Sequence, residues 1–393
     1  IKDLATCIFA TEKYKELIES RGHESVFYKS LSAEMILKMG QQGDSSWVSV
    51  KNLEPVIERQ IQIIHNTKPD YVINDYSFTA HLAAEYLNTP CISLINGLFS
   101  KHLAIPKGIP ISHPMAKFAF LFPNFLIQNI QAFIFKTLHR PYRQLRKIFR
   151  LSLINRSFLD EFQGNINLVL DTPEFAPQTH LPKDTFFLGP LYHSESKVES
   201  QILDQLDSNK KTILVNMGSG GLIEHVAYLN DQIFNKYNIL VIGDQTNVLS
   251  AKHIIKAKFL SLESVMPKVD LVLNQGGTGN IFQSLAHGVP VFCYPTFFEQ
   301  DWNSIRVQEL EYGVHLTGKE SLESIKELIE IWSNKKEETK FKLLSENISV
   351  EKSKIRFRKI MLNIFNPKPL QERSAKKLHH PPIAINTLEV NQA

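Results

Sequence analysis

The residues best suited to chemistry lie in one stretch, positions 271–303, which reads LVLNQGGTGNIFQSLAHGVPVFCYPTFFEQDWN. An apolar run with the pattern of a buried strand, 271–273, leads into a glycine-rich turn, and a helical pattern follows at 280–287. The turn consists of Gln275, Gly276, Gly277, Thr278 and Gly279. Such a turn lets backbone N–H groups approach an anion closely, and the dipole of the following helix favours negative charge. The stretch therefore predicts a site for a phosphate group.

A second apolar run, 289–294, ends at Pro295 and is followed by the polar side chains Glu299, Gln300, Asp301 and Asn303. Glu299 and Gln300 are adjacent, and an acid beside an amide can satisfy several sugar hydroxyls. The alternative for this pair is an acidic first turn of a helix, which the helix dipole favours in any case. Two successive strand ends thus present phosphate donors and then hydroxyl-binding groups. This combination suits a nucleotide-activated sugar.

The pattern resembles the donor signature of the UDP-glycosyltransferase family, the macrolide-, plant- and sterol-type enzymes of the GT-B fold. In that family the run reads roughly His-Gly-Gly-x-Gly-Ser/Thr-x-x-Glu, then Gly-x-Pro, then Pro-x-x-x-Asp/Glu-Gln-x-x-Asn. The matching residues here are Gly276, Gly277, Gly279, Gly288, Pro290, Pro295, Glu299, Gln300 and Asn303. A long pattern in the right order is much more specific than a single glycine-rich loop. The resemblance implies that this loop and the Glu299-Gln300 pair bind the donor.

Three positions inside the signature depart from the family pattern. Gln275 stands in place of the phosphate-binding histidine, Gln283 in place of the ribose-binding glutamate, and Asn280 in place of a small hydroxyl residue. Gln275 can donate an amide hydrogen bond to a phosphate, but it carries no charge and does not titrate near neutral pH. Gln283 can still reach a ribose hydroxyl, although an amide accepts less strongly than a carboxylate. These changes bear on activity and leave the expected fold intact.

The resemblance also assigns Asp75, which follows the predicted strand 71–73, to the carboxylate that orients a catalytic histidine. An Asn-Asp pair at a strand end is equally typical of a turn or a helix cap. No residue of this chain matches the histidine. Positions 5–9 are similar to the family's second strand, so the first strand and its loop would lie upstream of Ile1. The resemblance thus implies N-terminal truncation; the alternative is a shorter natural start.

Two further donor contacts follow from the resemblance. Ser219 lies in a Gly-Ser-Gly-Gly turn and is similar to the family's second diphosphate contact, while the alternative is a plain turn between strand and helix. Phe259 stands where the family stacks an aromatic ring on the uracil, and the alternative is a core residue at the end of a strand. No choice between these alternatives follows from the residues alone.

Strand patterns alternate with helical patterns along the chain, which predicts α/β structure with parallel sheets and helices on both faces. Predicted strands include 91–95 and 166–170 in the first half and 239–242, 257–260 and 291–294 in the second. The resemblance implies two Rossmann-like domains facing each other, the GT-B arrangement. The expected division is an N-terminal acceptor-binding domain (1–188), a linker (189–209), a nucleotide-sugar-binding domain (210–350), a C-terminal helix (351–365) and a disordered tail (366–393).

The composition is typical of a globular protein, with 43% hydrophobic and 21% charged residues among 393. The cysteines, Cys7, Cys91 and Cys293, are widely separated and favour a reducing, cytoplasmic location. Neither cysteines nor histidines show metal-ligand spacing, so no metal is expected. The expected cofactor set is likewise empty, with a UDP-sugar as co-substrate. No apolar run reaches the length of a membrane-spanning helix.

The net charge of +4 conceals a strongly basic segment. Residues 86–159 contain no Asp or Glu, and their basic residues are Lys101, Lys107, Lys117, Lys136, Arg140, Arg143, Arg146, Lys147, Arg150 and Arg156. Part of this segment, 113–150, is also rich in phenylalanine, and basic aromatic surface suits peripheral attachment to an anionic membrane. The alternative is a set of ordinary helices with solvated arginines. No groove-binding motif supports nucleic acid.

The sequence as a whole predicts a glycosyltransferase that moves a hexose from a nucleotide sugar, expected to be a UDP-sugar, to a hydrophobic small-molecule or lipid acceptor with inversion. Backbone groups at Gly276, Gly277, Gly279 and Asn280 would stabilise the diphosphate leaving group, and Glu299 and Gln300 would orient the sugar. The alternative is a catalytically degenerate relative that binds a ligand or partner without turnover. A third possibility from a different class is a membrane-bound scaffold.

Overall fold

A computed structural model describes residues 6–32, 35–36, 38–39, 44–105, 123–153, 157–192, 200–218, 221–243 and 248–365. The strands are β1 (Cys7–Ala10), β2 (Glu24–Phe27), β3 (Val72–Asp75), β4 (Cys91–Ile95), β5 (Ile166–Val169), β6 (Thr185–Phe187), β7 (Thr212–Asn216), β8 (Asn238–Ile242), β9 (Ile254–Ala257), β10 (Leu271–Asn274), β11 (Val291–Cys293) and β12 (Gly313–His315). The helices are α1 (Lys15–Ser20), α2 (Val50–Thr67), α3 (Ala80–Tyr86), α4 (Asn124–Ile148), α5 (Ser200–Leu203), α6 (Leu262–Val265), α7 (Thr278–Leu285), α8 (Phe298–Glu309), α9 (Leu322–Trp332), α10 (Thr339–Asn347) and α11 (Val350–Phe365). The predicted tail 366–393, Ser219 and the part 113–122 of the basic segment lie outside the described residues.

These strands pair in parallel and form three sheets. β1 pairs with β2, β3 to β6 form a sheet in chain order, and the third sheet has the order β12-β11-β10-β7-β8-β9. The central strands β7 and β10 are apolar on both faces, and Leu214 and Leu273 are fully buried on them. Helices must cover both faces of such a sheet, since strands buried on two sides have no polar face. The predicted α/β class with parallel sheets is confirmed.

The order of the third sheet creates a crevice beside β7 and β10. From β7 the chain adds strands outward through β8 and β9, whereas β10, β11 and β12 extend on the other side. Ligands of open parallel sheets bind outside the carboxyl ends of the strands at such a reversal. The turn after β7 and the glycine-rich turn after β10 both lie at this edge.

The two large sheets are connected by side chains from each half of the molecule that pack in the core of the other half. The halves are named here after the β3–β6 sheet and the third sheet. Phe175, which follows β5, is fully buried in the core of the third sheet and packs edge-on against Phe282 at 5.0 Å. In the opposite direction, Met361 of α11 packs in the core cluster of the β3–β6 sheet, and Arg356 Nη1 donates to Leu188 O at 2.9 Å. The predicted domain boundaries remain a prediction, to which the structure adds these reciprocal anchors.

One predicted strand of the second half is wrong. The expected strand at 257–260 is instead Ile254–Ala257, which pairs with β8 through Ile239 and Ile254. Leu260 lies in the loop after the strand and is buried there. An apolar residue buried in a loop gives the same sequence pattern as a strand residue. Phe259 lies in that loop with 68% of its surface exposed, so the alternative of a core residue is excluded.

Candidate active site

The glycine-rich turn after β10 has a backbone that only glycine accepts without strain. Gly276 has φ of +87°, and a Cβ there would meet Gln300 O and Ser304 Oγ at 2.7 Å each. Its N–H donates to Asn274 Oδ1 at 2.7 Å, and its carbonyl accepts from Asn303 Nδ2 at 2.9 Å. The helix that carries the predicted sugar pair, α8, therefore also clamps the predicted phosphate turn.

Helix α7 begins directly after this turn, with Gly277 as its N-terminal flanking residue. The first backbone N–H groups of a helix have no partner within it, so those near Thr278, Gly279 and Asn280 are available to an anion. Nothing lies within 4 Å of a Cβ built on Gly279, so space is open beside this turn. Asn280 Oδ1 accepts from Asn216 Nδ2 at 3.3 Å, which joins the turn after β7 to α7.

Gln275 connects the two turns at the crevice. It is 9% exposed, and with its amide nitrogen toward the neighbouring carbonyls it donates to Met217 O at 3.0 Å and to Asn216 O at 3.3 Å. Gly218, with φ of +57°, lies against it so closely that a Cβ would collide with the amide. The amide expected to donate to a phosphate is thus engaged by backbone carbonyls in this structure.

Gln283 is also buried, and its contacts reveal a carboxylate that the sequence analysis missed. Its Nε2 donates to Glu263 Oε2 at 3.5 Å, and His287 Nε2 lies 3.6 Å from Glu263 Oε1. Glu263 belongs to α6 and lies four residues after the exposed Phe259. A carboxylate is therefore present beside position 283 although the chain has an amide there. The spacing from Phe259 to Glu263 was the only sequence signal for it.

Glu299 and Gln300 occupy the first turn of α8 and have different surroundings. Gln300 Oε1 accepts from the N–H and the hydroxyl of Thr296, both at 3.0 Å, which leaves its amide nitrogen as the group for a ligand. Glu299 Oε1 accepts from Asn96 Nδ2 of the other half of the molecule at 3.1 Å. Burial raises the pKa of Glu299 to about 7, and the hydrogen bond from Asn96 partly opposes this rise.

Asp75 lies at the exposed carboxyl end of β3. The alternative for the Asn74-Asp75 pair was a turn, and Asn74 is the residue that forms it. Asn74 Oδ1 accepts from Ser77 N at 2.9 Å, and Asn74 Nδ2 donates to Ser77 O at 3.2 Å. Desolvation raises the pKa of Asp75. Asp75 has no hydrogen bond or ion pair with the other residues that the structure describes. Its role in orienting a base stays a prediction.

Three polar residues at this cleft were not foreseen. Asn96, Asp171 and Tyr76 follow β4, β5 and β3, and all three lie near Glu299. Burial and the charge of Glu299 raise the pKa of Asp171 to about 7, against a hydrogen bond from Gly97 N that lowers it. None of the three belongs to a recognisable sequence motif.

Residues 124–148 of the basic segment form helix α4, which packs on the core of the N-terminal half. Arg143, Lys147 and Arg150 are exposed, but Tyr142 and Leu145 are buried in the core between α2, α3 and α4. The aromatic face expected to contact lipid thus packs inward in this part of the segment. None of the described helices is both long enough and apolar enough to cross a membrane.

Comparison with known proteins brings out the same class repeatedly. No protein-family model matches the chain. The PGL/p-HBAD biosynthesis glycosyltransferase of Mycobacterium tuberculosis is 25% identical over 295 residues, which cover 72% of this chain and 67% of that protein. The NDP-glycosyltransferase YjiC of Bacillus subtilis is 22% identical over 342 residues, covering 83% and 81%.

Solved structures agree on the fold. The glycotransferase of kitacinnamycin superposes with a TM-score of 0.65 at 14% identity, covering 92% of each chain. CalG4, the calicheamicin glycosyltransferase, superposes with 0.64 at 17% identity, covering 92% of this chain and 91% of its own. The chain has the GT-B fold, and its relatives make it an enzyme of the glycosyltransferase class. The crevice beside β7 and β10 contains the residues predicted to bind the donor, and Asn96 of the β3–β6 half reaches Glu299 there.

One of the related proteins is named as an inactive glycosyltransferase. An inactive PGL/p-HBAD biosynthesis glycosyltransferase of Mycobacterium bovis is 25% identical over 195 residues, which cover 48% of this chain and 52% of that protein. Turnover therefore has to be argued from the residues of the site itself.

Proposed function

We propose that this glycosyltransferase transfers a hexose from a UDP-sugar to a hydrophobic acceptor held by the β3–β6 half, with inversion at the anomeric carbon. The observation that carries the proposal is the clamp between α8 and the glycine-rich turn. Asn303 Nδ2 donates to Gly276 O, and α8 packs too closely on Gly276 to admit a Cβ, while Glu299 and Gln300 lie in the first turn of the same helix. Phosphate and sugar ligands are thus fixed relative to each other, as displacement at a bond between them requires.

The roles follow from this geometry. The N-terminus of α7 would hold the diphosphate and stabilise the charge that develops on it as the bond to the anomeric carbon breaks. Glu299 and the amide nitrogen of Gln300 would hold sugar hydroxyls. The acceptor hydroxyl would attack the anomeric carbon from the side opposite the diphosphate, and UDP would leave with the electrons of the broken bond. The proton of the hydroxyl would pass to a general base, which the resemblance makes a histidine that no residue of this chain matches and that Asp75 would orient. Phe259 would supply an exposed ring for the base of the nucleotide, and Glu263 with Gln283 would contact the ribose.

A transfer assay tests this proposal. Wild-type protein, Glu299→Ala and the exposed control Glu346→Ala are incubated with UDP-glucose and a panel of phenolic and lipid acceptors, and products are identified by mass spectrometry. We expect a hexosylated product whose anomeric configuration is opposite to that of the donor. Its formation should fall about 10- to 100-fold in Glu299→Ala, because hydrogen bonds to a charged group are lost. Retained configuration, or equal rates in both variants, would contradict the proposal.

A second function, binding without turnover, is favoured by one specific observation. Gln275 donates to backbone carbonyls and Gln283 to Glu263, so neither amide is free in this structure. A degenerate relative would bind UDP-glucose in a calorimetric titration and release neither glucose nor product. Gln275→His separates the two functions: restored transfer from a silent wild type would assign the loss of activity to this position.

A further inference from the structure

Three neighbouring strands of the β3–β6 sheet end at the same edge, and each is followed by a polar residue. The register pairs Asp75 of β3 with Leu94 of β4, and Ile95 of β4 with Val169 of β5. Tyr76, Asn96 and Asp171 follow these strand ends. Because parallel strands present their carboxyl ends at one edge, the three side chains are brought to the same place.

Contacts with neighbouring residues bring this group to the side of Glu299 of the opposite half. Phe99 packs on the ring of Tyr76 at 5.4 Å and on that of Phe298 at 5.8 Å, and Asp171 Oδ2 accepts from the N–H of Gly97, the residue after Asn96. Asn96 Nδ2 donates to Glu299 Oε1 at 3.1 Å. Burial and, next, the charge of Glu299 raise the pKa of the Tyr76 hydroxyl, and the same carboxylate contributes to the raised pKa of Asp171. Charges interact more strongly in a poorly solvated space than in water, which agrees with the burial of these groups. The carboxylate that would bind the sugar is thus shared by both halves.

Two atoms of this group are buried and have no hydrogen-bond partner among the described residues: Oδ1 of Asp171 and the hydroxyl of Tyr76. Asp171 is 1% exposed, and its other oxygen, Oδ2, accepts from Gly97 N at 2.5 Å. A structural role in holding that loop explains only one of the two oxygens. Buried polar atoms without partners are costly, and native proteins retain them mainly where a ligand or water completes them.

Tyr76 is also held in an unusual backbone conformation. Its φ is +56°, which is rare for a bulky side chain. Its ring packs against Phe99 at 5.4 Å and Phe162 at 6.0 Å, so the surrounding aromatic core fixes this conformation. Strain of this kind persists where the surroundings determine it, and it concentrates at ligand sites.

We propose that Asp171 and Tyr76 are specificity-determining ligands of the donor hexose, which they contact together with Glu299 from the opposite half. The inference rests on the proposed function, since it names further ligands of the same sugar. A sugar hydroxyl donates to Asp171 Oδ1 and another accepts from the Tyr76 hydroxyl. A sugar hydroxyl also replaces Asn96 on Glu299. The N-terminal half thereby takes part in choosing the sugar as well as the acceptor.

Calorimetric titration of two probes in the absence of any acceptor tests this assignment. UDP and UDP-glucose are titrated into wild-type protein, Asp171→Asn, Tyr76→Phe and the exposed matched control Asp204→Asn. We expect the affinity for UDP to be the same in all four proteins. The affinity for UDP-glucose should fall about tenfold or more in Asp171→Asn and about fivefold in Tyr76→Phe, because a charged and a neutral hydrogen bond are lost. Asp204→Asn should match wild type.

The outcomes separate the inference from the function on which it rests. If both variants bind UDP-glucose like wild type while wild type binds it saturably, the assignment is overturned and the proposed function stands. If wild-type protein binds neither UDP nor UDP-glucose, the proposed function fails and the assignment fails with it. Tyr76→Phe removes a single oxygen, so it decides the question even if Asp171→Asn does not fold.

Discussion

Asn96 donates a hydrogen bond through Nδ2 to Oε1 of Glu299 at 3.1 Å, although the two residues are 203 positions apart in the chain. Beside this bond, Phe99 packs on Phe298 with ring centres 5.8 Å apart and on Trp302 at 6.3 Å. The carboxylate proposed for the sugar is therefore in contact with the opposite half. In the proposed function a donor would exchange the amide of Asn96 for its own hydroxyl groups, so its binding would break this contact between the halves.

Replacement of Gly276 or Gly279 by alanine should affect the stability of the protein differently, although both glycines lie in the same turn. Gly276→Ala should lower the free energy of unfolding by about 1–3 kcal/mol, since the residue has positive φ and its Cβ would collide with α8. Gly279→Ala is the matched control, because nothing lies within 4 Å of its Cβ and alanine favours helix. Urea unfolding compares them. Equal stability of the two variants would contradict the described clamp.

The carboxylate of Glu161 predicts a stability effect far from the cleft. It accepts hydrogen bonds from His81 Nε2 (3.0 Å), His139 Nε2 (2.9 Å) and Arg146 Nη2 (2.8 Å). Burial alone would raise its pKa, but these donors hold the pKa well below the usual range. Glu161→Gln should therefore cost about 3–5 kcal/mol near neutral pH.

This cost should depend on pH. Because the folded pKa of Glu161 is depressed, its stabilisation is present above the unfolded value and is lost progressively as the pH falls below about 4.5. The difference in Tm between wild type and Glu161→Gln should narrow on acidification, whereas the exposed Glu346→Gln should match wild type throughout. A constant difference from pH 7 to pH 3 would rule out this ionised network.

Asp171 predicts the opposite pH dependence. Its folded pKa of about 7 lies above the ordinary value, so the folded state binds a proton that the unfolded state releases, and stability falls as the pH rises toward 7. Asp171→Asn removes this titration. Its Tm relative to wild type should be higher at pH 8 than at pH 5, as measured by thermal unfolding, with Asp204→Asn as control. The same offset at both pH values would show that Asp171 is solvated.

Phe175 predicts how strongly the halves are joined. Its side chain is fully buried in the core of the third sheet, and Arg306 Nε donates to its carbonyl at 3.0 Å. Phe175→Ala should cost about 3–5 kcal/mol, as for other fully buried aromatic side chains. Phe133→Ala, whose ring is 66% exposed, is the control and should cost little. Comparable losses in the two variants would mean that Phe175 does not anchor the halves.

The local structure of residues 271–303 was predictable because its signal is local. Residues 271–303 form consecutive strands, turns and helix starts, so spacing along the chain translates directly into proximity at one sheet edge. Gly276 was readable as a turn residue for the same reason. The predicted strand at 257–260 failed because the burial of Leu260 comes from a loop, and apolar pattern alone does not separate the two.

The other side of the cleft was not predictable from the chain. Asn96, Asp171 and Tyr76 meet Glu299 only because two sheets pack face to face, and no local pattern encodes a contact between positions 96 and 299. The engagement of Gln275 likewise depends on its packing against Gly218, which lies on a neighbouring strand end. The residue types at motif positions show which chemical groups are present. The packing of these groups determines which of them can bind a ligand.

The central claim is that Glu299 and the turn before α7 hold a nucleotide sugar, and one calorimetric comparison tests it most directly. UDP-glucose is titrated into wild-type protein and Glu299→Ala at constant pH. We predict saturable binding of one molecule per chain to wild type and an affinity about tenfold or more lower in the variant, with UDP binding unchanged. Absence of saturable binding to wild type, or identical affinities for UDP-glucose in both proteins, would contradict the claim.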